Sequence, residues 1–190
     1  MLDLSRAEIE AAVDLDRAFV ALEEGFKAAA AGRVRMPPVG YLGFPAHNGD
    51  CHIKFGHIAG DSVFVVKIAT GFYDNPAKGL PTTSGMMIAL SAETGAVVAI
   101  LRDEGWLTDL RTALAGAIAT RAGMRADASR IGIVGAGTQA RFQIRAAAHL
   151  LRDREPHFAV WARSPEKLEA LRRDLAGEGI VIEPVTELEA

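Results

Sequence analysis

A glycine turn in the last third of this 190-residue sequence has the spacing of a dinucleotide-phosphate site. Gly135, Gly137 and Ala140 match the pattern G-x-G-x-x-G/A, between a predicted strand at 130–134 and a predicted helix at 138–151. The glycines allow a tight bend and the close approach of a pyrophosphate, and the start of the helix offers free amide groups. The turn therefore predicts a dinucleotide cofactor; a turn that serves only helix packing is the alternative.

The residues after the next predicted strand, 157–161, indicate which dinucleotide binds. An acidic residue at this place would hydrogen-bond the adenosine ribose of NAD(H). This sequence has Arg163 and Ser164 there, followed by Lys167, and these side chains could hold the 2′-phosphate of NADP(H). We therefore expect NAD(P) as cofactor, with NADP(H) slightly favoured over NAD(H). The alternative is that Arg163 only stacks on the adenine ring.

Lys67 is the most unusual residue in the first half of the chain. It lies within the β-branched run 62–69, which is typical of a buried strand. A lysine there is costly unless it is paired, which suits a group that binds a substrate carboxylate or transfers a proton. An edge strand with Lys67 in solvent is the alternative. Arg35 and Arg111 are two further candidate ligands for an anion.

The composition argues against several other functions. The chain has 21 Lys+Arg against 24 Asp+Glu, so it lacks the positive charge of a nucleic-acid-binding protein. A single cysteine, Cys51, allows no intramolecular disulfide, and the five histidines lack metal-ligand spacing, although His52 and Lys54 would share one strand face. We see neither a signal-peptide pattern nor a membrane-spanning apolar run. We therefore expect a soluble cytoplasmic protein without metal, nucleic-acid or membrane partners.

The first half of the chain predicts helices followed by a sheet. Ser5 and Glu8 form a predicted capping box, and the spacing of apolar residues predicts an amphipathic helix over 15–32. Residues 39–101 have the pattern of strands in an antiparallel or mixed sheet. A helix rich in small residues follows, with Thr108 as its expected N-cap.

From residue 130 the pattern changes to alternating strands and helices. Further elements are expected after the glycine turn: strands at 157–161 and 180–185 and a helix at 165–175. This β-α-β-α-β order is the signature of a parallel sheet. The predicted fold class is therefore α/β, with part of a Rossmann-type doubly wound parallel sheet preceded by an α+β domain.

A surface connector at 123–129 predicts two domains, 1–125 and 126–190. Residues 186–190 have the pattern of the first turn of another helix. Because a doubly wound sheet needs a second half, we expect the natural sequence to continue beyond residue 190.

Three motifs, in this order, resemble the ornithine cyclodeaminase/μ-crystallin family. They are Lys67–Thr82, Leu107–Ala113 and Gly135–Ala140, and the resemblance extends from about Arg35 to the end of the chain. It implies that the second domain binds NAD(P) and that the first binds the substrate and forms a homodimer. Sequence beyond residue 190 would complete both domains.

The resemblance also implies roles for individual residues. Arg35 and Lys67 would contact an amino or imino acid, with Lys67 as the catalytic residue and Arg33 as an alternative to Arg35. Arg111 would anchor the substrate carboxylate or the cofactor. The implied cofactor ligands are Thr82, Arg111, Gly135, Gly137, Thr138, Gln139, Arg163 and Ser164.

A protein of this family is expected to be an enzyme of amino-acid metabolism that uses a bound nicotinamide cofactor for hydride transfer at Cα. The first expectation is the conversion of ornithine to proline and ammonia. The alternatives are a ketimine or imino-acid reductase or amino-acid dehydrogenase that uses NAD(P)H, and a non-catalytic ligand-binding protein like μ-crystallin. The aspartate implied for the cyclodeaminases lies in a later motif, so residues 1–190 do not separate these reactions.

Overall fold

The structure, a computed structural model, describes residues 1–187 and divides into two compact units. Their bounds are Met1–Thr108 and Asp109–Ala190. The helical turn expected at 186–190 falls largely outside the described residues.

The boundary between the units differs from the one predicted at 125/126. Helix α3, Trp106–Gly123, begins in the first unit and belongs to the second from Asp109 onward. There the side-chain amide of Gln143 donates a 3.2 Å hydrogen bond to the carbonyl of Thr112. Contacts of this kind bring most of α3 into the second unit, whereas the sequence pattern showed only where the helix ends.

Seven strands build the first unit within residues 1–108. They are β1 Leu2–Ser5, β2 Val34–Arg35, β3 Gly40–Phe44, β4 Gly49–Ile58, β5 Val63–Phe72, β6 Thr83–Ser91 and β7 Val97–Arg102. They form one sheet in the order β1-β7-β6-β5-β4-β2, with β3 also paired to β4. The β1–β7 pair is parallel and the other pairs are antiparallel, which confirms a mixed sheet; β1 was not predicted.

Two helices precede most of these strands, α1 Arg6–Ala12 and α2 Leu15–Ala30. The predicted capping box is present, because Oε2 of Glu8 accepts a 2.9 Å hydrogen bond from the backbone N–H of Ser5. After α2 the chain turns at Gly32, where φ is +69°. Short 3-10 turns lie at Pro45–His47 and Asn75–Lys78.

The register of the central strands gives the sheet two different faces. Lys67 on β5 is paired with Lys54 on β4 and with Met87 on β6, and residues paired across strands point to the same side. We call this side the lysine face, defined by His52, Lys54, Lys67, Ala69 and Met87. Because β5 lies between β4 and β6, the edge-strand alternative for Lys67 is wrong.

The opposite side of the same sheet is apolar. Its residues alternate with those of the lysine face and are paired with one another across the strands. We call it the apolar face, defined by Leu42, Ile53, Phe55, Val66, Ile68 and Ile88. Ile53 and Phe55 remain 41% and 43% exposed.

The second unit is an α/β structure that matches the predicted order of elements. Its described strands are β8 Arg130–Val134, β9 His157–Trp161 and β10 Ile182–Pro184, and its further helices are α4 Thr138–Leu150 and α5 Pro165–Ala176, with a 3-10 turn at Arg152–Arg154. The strands are parallel, in the order β10-β9-β8. This is one half of a doubly wound Rossmann-type sheet, as the sequence predicted.

The core of the second unit lies between this sheet and its helices. Ile144 of α4, Val160 of β9 and Leu171 and Leu175 of α5 are completely buried. Their burial fixes the two helices on the strands and thereby places the glycine turn between β8 and α4.

None of the helices within residues 1–187 has both the length and the hydropathy of a membrane-spanning segment.

Candidate functional site

The glycine turn borders an open hollow at the ends of β8 and β9. The backbone N–H of Gly135 donates a 2.7 Å hydrogen bond to the carbonyl of Trp161, which ties the turn to the end of β9. Gly135 has a φ of +118°, a value that a side chain would strain. A Cβ added to Gly137 would meet no atom within 4 Å, so it would project into the open space that a phosphate needs.

This hollow has a volume of about 400 Å³ and is lined by four of the eight predicted cofactor ligands. Its lining is Val134, Gly135, Ala136, Gly137, Trp161, Ala162, Arg163, Ser164 and Lys167. Gly137 is the N-cap of α4, so the unpaired amides at the start of that helix lie beside it. The residues present therefore fit a dinucleotide, with its pyrophosphate at the glycine turn.

The rim of the hollow formed by the end of β9 carries charges of both signs. Arg163 is exposed, and it makes no hydrogen bond or ion pair within residues 1–187. Ser164 caps α5 by accepting from the N–H of Lys167 at 3.2 Å, and its hydroxyl donates to Glu166 at 2.7 Å. That hydrogen bond lowers the pKa of Glu166, so the rim holds an anion as well as the cations of Arg163 and Lys167.

A neighbouring hollow of about 390 Å³ lies on the other side of the glycine turn, and Gln139 lines it. The amide nitrogen of Gln139 donates a 2.7 Å hydrogen bond to Oδ1 of Asp109. Its Oε1 is buried and has no hydrogen-bond partner within residues 1–187. A buried acceptor of this kind fits a ligand that brings an N–H or O–H group. Thr138, the other predicted ligand from this turn, is exposed at the start of α4.

Arg141 holds the glycine turn in place, a role that the sequence did not predict. Its guanidinium donates to the carbonyl of Ala136 at 3.1 Å and to Asp174 of α5 at 3.0 Å. Both contacts come from one residue in the first turn of α4. The only signal in the sequence was an arginine four residues after Gly137. That spacing does not show that the arginine side chain folds back onto the turn.

In the first unit, Lys67 is half-buried on the lysine face. Its Nζ donates a 3.3 Å hydrogen bond to Oγ1 of Thr108. Thr108 lies in the first turn of α3, so this bond connects the central strand to the start of the helix. The ammonium is thereby held at a fixed place above the sheet.

The N-cap predicted at Thr108 is wrong, because α3 starts earlier. Oδ2 of Asp103 accepts a 2.9 Å hydrogen bond from the N–H of Leu107 and so caps the helix. Asp103 is only 1% exposed, and its Oδ1 has no partner within the described chain. Glu104 and Gly105, with φ of +53° and +87°, make the sharp turn between β7 and α3.

The remaining predicted ligands are not among the residues that line either hollow. Arg35 is exposed on β2 and paired with His57, so the register places it on the side of the sheet opposite to Lys67. Thr82 is half-buried just before β6, and its carbonyl accepts from Phe72 N–H at 2.8 Å. Arg111 is exposed on α3. No group of three or more His, Cys, Asp or Glu within residues 1–187 could hold a metal ion.

The parallel strand order and the glycine turn define the second unit as a Rossmann-type fold. The chain belongs to the ornithine cyclodeaminase/mu-crystallin family, whose model matches residues 1–190. It is 44% identical over 186 residues to the putative dehydrogenase RB0419 of Rhizobium meliloti strain 1021, covering 97% of this chain and 56% of that protein. The chain spans about half the length of the curated relatives it matches.

Solved structures show the same fold. The Delta(1)-pyrroline-2-carboxylate reductase of Thermococcus litoralis, in complex with NADH and L-proline, has a TM-score of 0.89 at 27% identity, covering 99% of this chain and 58% of that one. An archaeal alanine dehydrogenase dimer with bound NAD has a TM-score of 0.87 at 30% identity, covering 98% and 56%. The fold class and the family resemblance predicted from the sequence are therefore confirmed.

Proposed function

We propose that this protein is an enzyme that transfers a hydride between a nicotinamide cofactor and Cα of an amino or imino acid. The observation that carries this proposal is the hollow at the glycine turn, which combines Gly135, Gly137 and the start of α4 with the cationic rim at Arg163. When bound there, the nicotinamide cofactor supplies or accepts the hydride. The relatives support the proposal, since they include a reductase bound to NADH and L-proline and an alanine dehydrogenase bound to NAD.

Lys67 is the group we assign to the substrate carboxylate. It lies on an interior strand, it is half-buried, and Thr108 accepts a hydrogen bond from its Nζ. A cation held in this way binds a carboxylate with little loss of side-chain freedom. Orienting an amino or imino acid by its carboxylate fixes the position of Cα, and such positioning contributes several kcal/mol to catalysis, up to roughly 7–11.

Between the two reactions expected for this family, the lysine face favours reduction of an imino acid, or the reverse dehydrogenation, over cyclodeamination of ornithine. Ornithine carries a second amino group, which is protonated at neutral pH. Lys54 lies opposite Lys67 on the neighbouring strand, so that amino group would approach two like charges. An imino acid without a cationic side chain avoids this repulsion.

Arg163 and Lys167 line the hollow, and their positive charges favour binding of the 2′-phosphate of NADP(H). The carboxylate of Glu166, which accepts a 2.7 Å hydrogen bond from the Ser164 hydroxyl, repels that phosphate. Two cations against one anion give NADP(H) a small advantage over NAD(H). Both dinucleotides are therefore proposed to bind, the phosphorylated one more tightly.

The proposed partner is a second copy of the chain, bound through the apolar face. Phe55 and Ile53 are exposed there beside Leu42, which is 59% exposed, and an exposed patch of this kind is typical of an interface. The alanine dehydrogenase of the same fold is a dimer.

Analytical ultracentrifugation tests the proposed interface. Phe55→Lys should convert the dimer to a monomer, whereas Val20→Lys, at an exposed residue of α2, should leave the dimer intact.

The reaction is tested by following reduced cofactor in the presence of imino acids formed from 2-oxo acids and ammonium. We expect NADPH and NADH to be oxidised in proportion to the amino acid produced. Ammonia release from ornithine with no net change in reduced cofactor would show cyclodeamination instead. Tight cofactor binding without turnover of any amino or imino acid would contradict an enzymatic role.

A further inference from the structure

Lys54 and Lys67 lie directly opposite one another on β4 and β5. Directly paired residues in an antiparallel sheet have Cβ atoms only about 4.5–5.5 Å apart and point to the same side. Both lysines are half-buried. Like charges at such positions destabilise a sheet unless an anion lies between or above them.

No carboxylate of residues 1–187 pairs with Lys54. Within residues 1–187, Lys54 makes no ion pair or hydrogen bond. Asp50 is on the same face, but its two oxygens are directed to His52, at 3.4 Å, and to the hydroxyl of Tyr73, at 3.3 Å. His52 also lies between Asp50 and Lys54 along the strand, which separates the only acid of β4 from that ammonium.

The direct neighbours of the two lysines on the lysine face carry no negative charge. Ala69 and Met87 are their neighbours on the lysine face, and both are uncharged. Gly85, paired with Ala69, has no side chain. The lysine face therefore presents two cations whose direct neighbours, His52, Ala69 and Met87, include no acid, as expected for a surface that binds a compact molecule with two negative groups.

We infer that Lys54 is a second substrate-binding residue and that the substrate is a dicarboxylic imino or amino acid. Lys67 binds the carboxylate attached to Cα, and Lys54 binds the carboxylate of the side chain. This inference rests on the proposed hydride transfer and narrows its substrate class. If one carboxylate were shared by both lysines, Lys54 would contribute equally to monocarboxylic substrates, and the experiment separates these cases.

The test compares two imino acids of matched chemistry, formed from oxaloacetate with ammonium and from pyruvate with ammonium. In the unchanged protein we expect a higher kcat/KM for the dicarboxylic one. Lys54→Met should lower that kcat/KM by about 10- to 100-fold, the loss expected for one charge-assisted hydrogen bond. The pyruvate-derived imine should be affected by less than about threefold, and Lys54→Arg should restore most of the preference.

Three results would overturn the inference. A preference for the monocarboxylic imine, or equal losses on both imines in Lys54→Met, would exclude Lys54 from side-chain recognition while leaving hydride transfer intact. Failure to oxidise reduced cofactor with either imine would overturn the proposed function, and the inference with it. Retained kcat/KM for the pyruvate-derived imine shows that the first unit of Lys54→Met is folded, and Lys27→Met, at an exposed lysine paired with Glu24, is the matched control.

Discussion

The side-chain amide of Gln139 donates a 2.7 Å hydrogen bond to Asp109. Its carbonyl oxygen, Oε1, is buried and has no hydrogen-bond partner within residues 1–187. Asp109 lies on α3 and Gln139 on α4, directly after the glycine turn. The carboxylate accepts only, so it fixes which end of the Gln139 amide faces it. The other end is left as an acceptor for a ligand group in the neighbouring hollow, which Gln139 lines on the other side of the glycine turn.

Asp109→Ala should weaken cofactor binding because it frees the Gln139 amide to rotate. We expect the Kd for the reduced cofactor to rise by about 3- to 10-fold, which corresponds to about one hydrogen bond. Fluorescence titration with NADH and NADPH measures this change. Asp127→Ala, at an exposed aspartate that pairs with Arg125, is the control, and equal affinities in both variants would mean that Asp109 does not position Gln139.

Arg163→Asp should weaken NADP(H) more than NAD(H). The substitution replaces an exposed guanidinium at the rim of the hollow with a second carboxylate near Glu166. We expect a loss of about 10- to 100-fold for NADP(H) and a much smaller one for NAD(H), as measured by the two KM values. Arg172→Ala on α5, where the arginine pairs with Glu169 at 2.7 Å, should change neither value. Similar losses for both cofactors would remove Arg163 from recognition of the 2′-phosphate.

Lys67→Met should abolish most activity and leave cofactor affinity unchanged. Its ammonium is the group proposed to hold the substrate carboxylate, whereas the glycine turn belongs to the other unit. We expect kcat/KM to fall by at least about 100-fold, the cost of a charge-assisted contact together with lost orientation. Turnover close to that of the unchanged protein would exclude Lys67 from the substrate site.

The helices, strands and glycine turn of the second unit could be predicted from local sequence patterns. The glycine turn, strands β8 and β9 and helices α4 and α5 depend on neighbours in sequence, and each lies close to where it was expected. The hollow also brings together four predicted ligands, Gly135, Gly137, Arg163 and Ser164. A motif of this kind fixes its own geometry, because the turn, the helix start and the strand end are within one short segment.

Long-range pairing could not be predicted from the same patterns. The alternation of β4 placed His52 and Lys54 on one strand face, but the opposition of Lys54 and Lys67 depends on the register between β4 and β5. A shift of one residue would have placed them on different faces. The capping role of Asp103 was missed because Thr108 fits the same preference for a small polar residue, and only the structure shows where α3 begins.

Glu178 gives the second unit a stability that depends on pH. Arg145 of α4 donates to it at 2.7 Å from Nε, and this hydrogen bond lowers the pKa of Glu178 below its ordinary value. A lowered pKa in the folded state means that the stabilisation is present above the unfolded pKa, near 4.5, and is lost as pH falls through the folded pKa.

Glu178→Gln should therefore reduce the free energy of unfolding at pH 7 by about 0.5–1 kcal/mol, a small value because both side chains are more than one-third exposed. The difference from the unchanged protein should shrink as the pH is lowered below the ordinary pKa of 4.5 and through the lower pKa of the folded state. Urea unfolding at several pH values measures it. Glu155→Gln, at an exposed glutamate of the same unit, should show no such dependence, and a pH-independent difference for Glu178→Gln would contradict the role of the ion pair.

Gly85→Ala should destabilise the sheet that carries Lys67. An added Cβ would lie 2.5 Å from the carbonyl oxygen of Ile68 on β5, and a backbone atom cannot move aside as the end of a side chain can. We expect a loss of about 1–3 kcal/mol in the free energy of unfolding, together with lower activity, since Ile68 directly follows Lys67. Gly25→Ala is the matched comparison on helix α2. An added Cβ there meets no atom within 4 Å, so the alanine should stabilise the helix by about 0.5–1 kcal/mol. Urea unfolding of the two variants should therefore give changes of opposite sign in the free energy of unfolding. Stabilisation by both would show that β5 and β6 can separate enough to admit a methyl group beside Ile68.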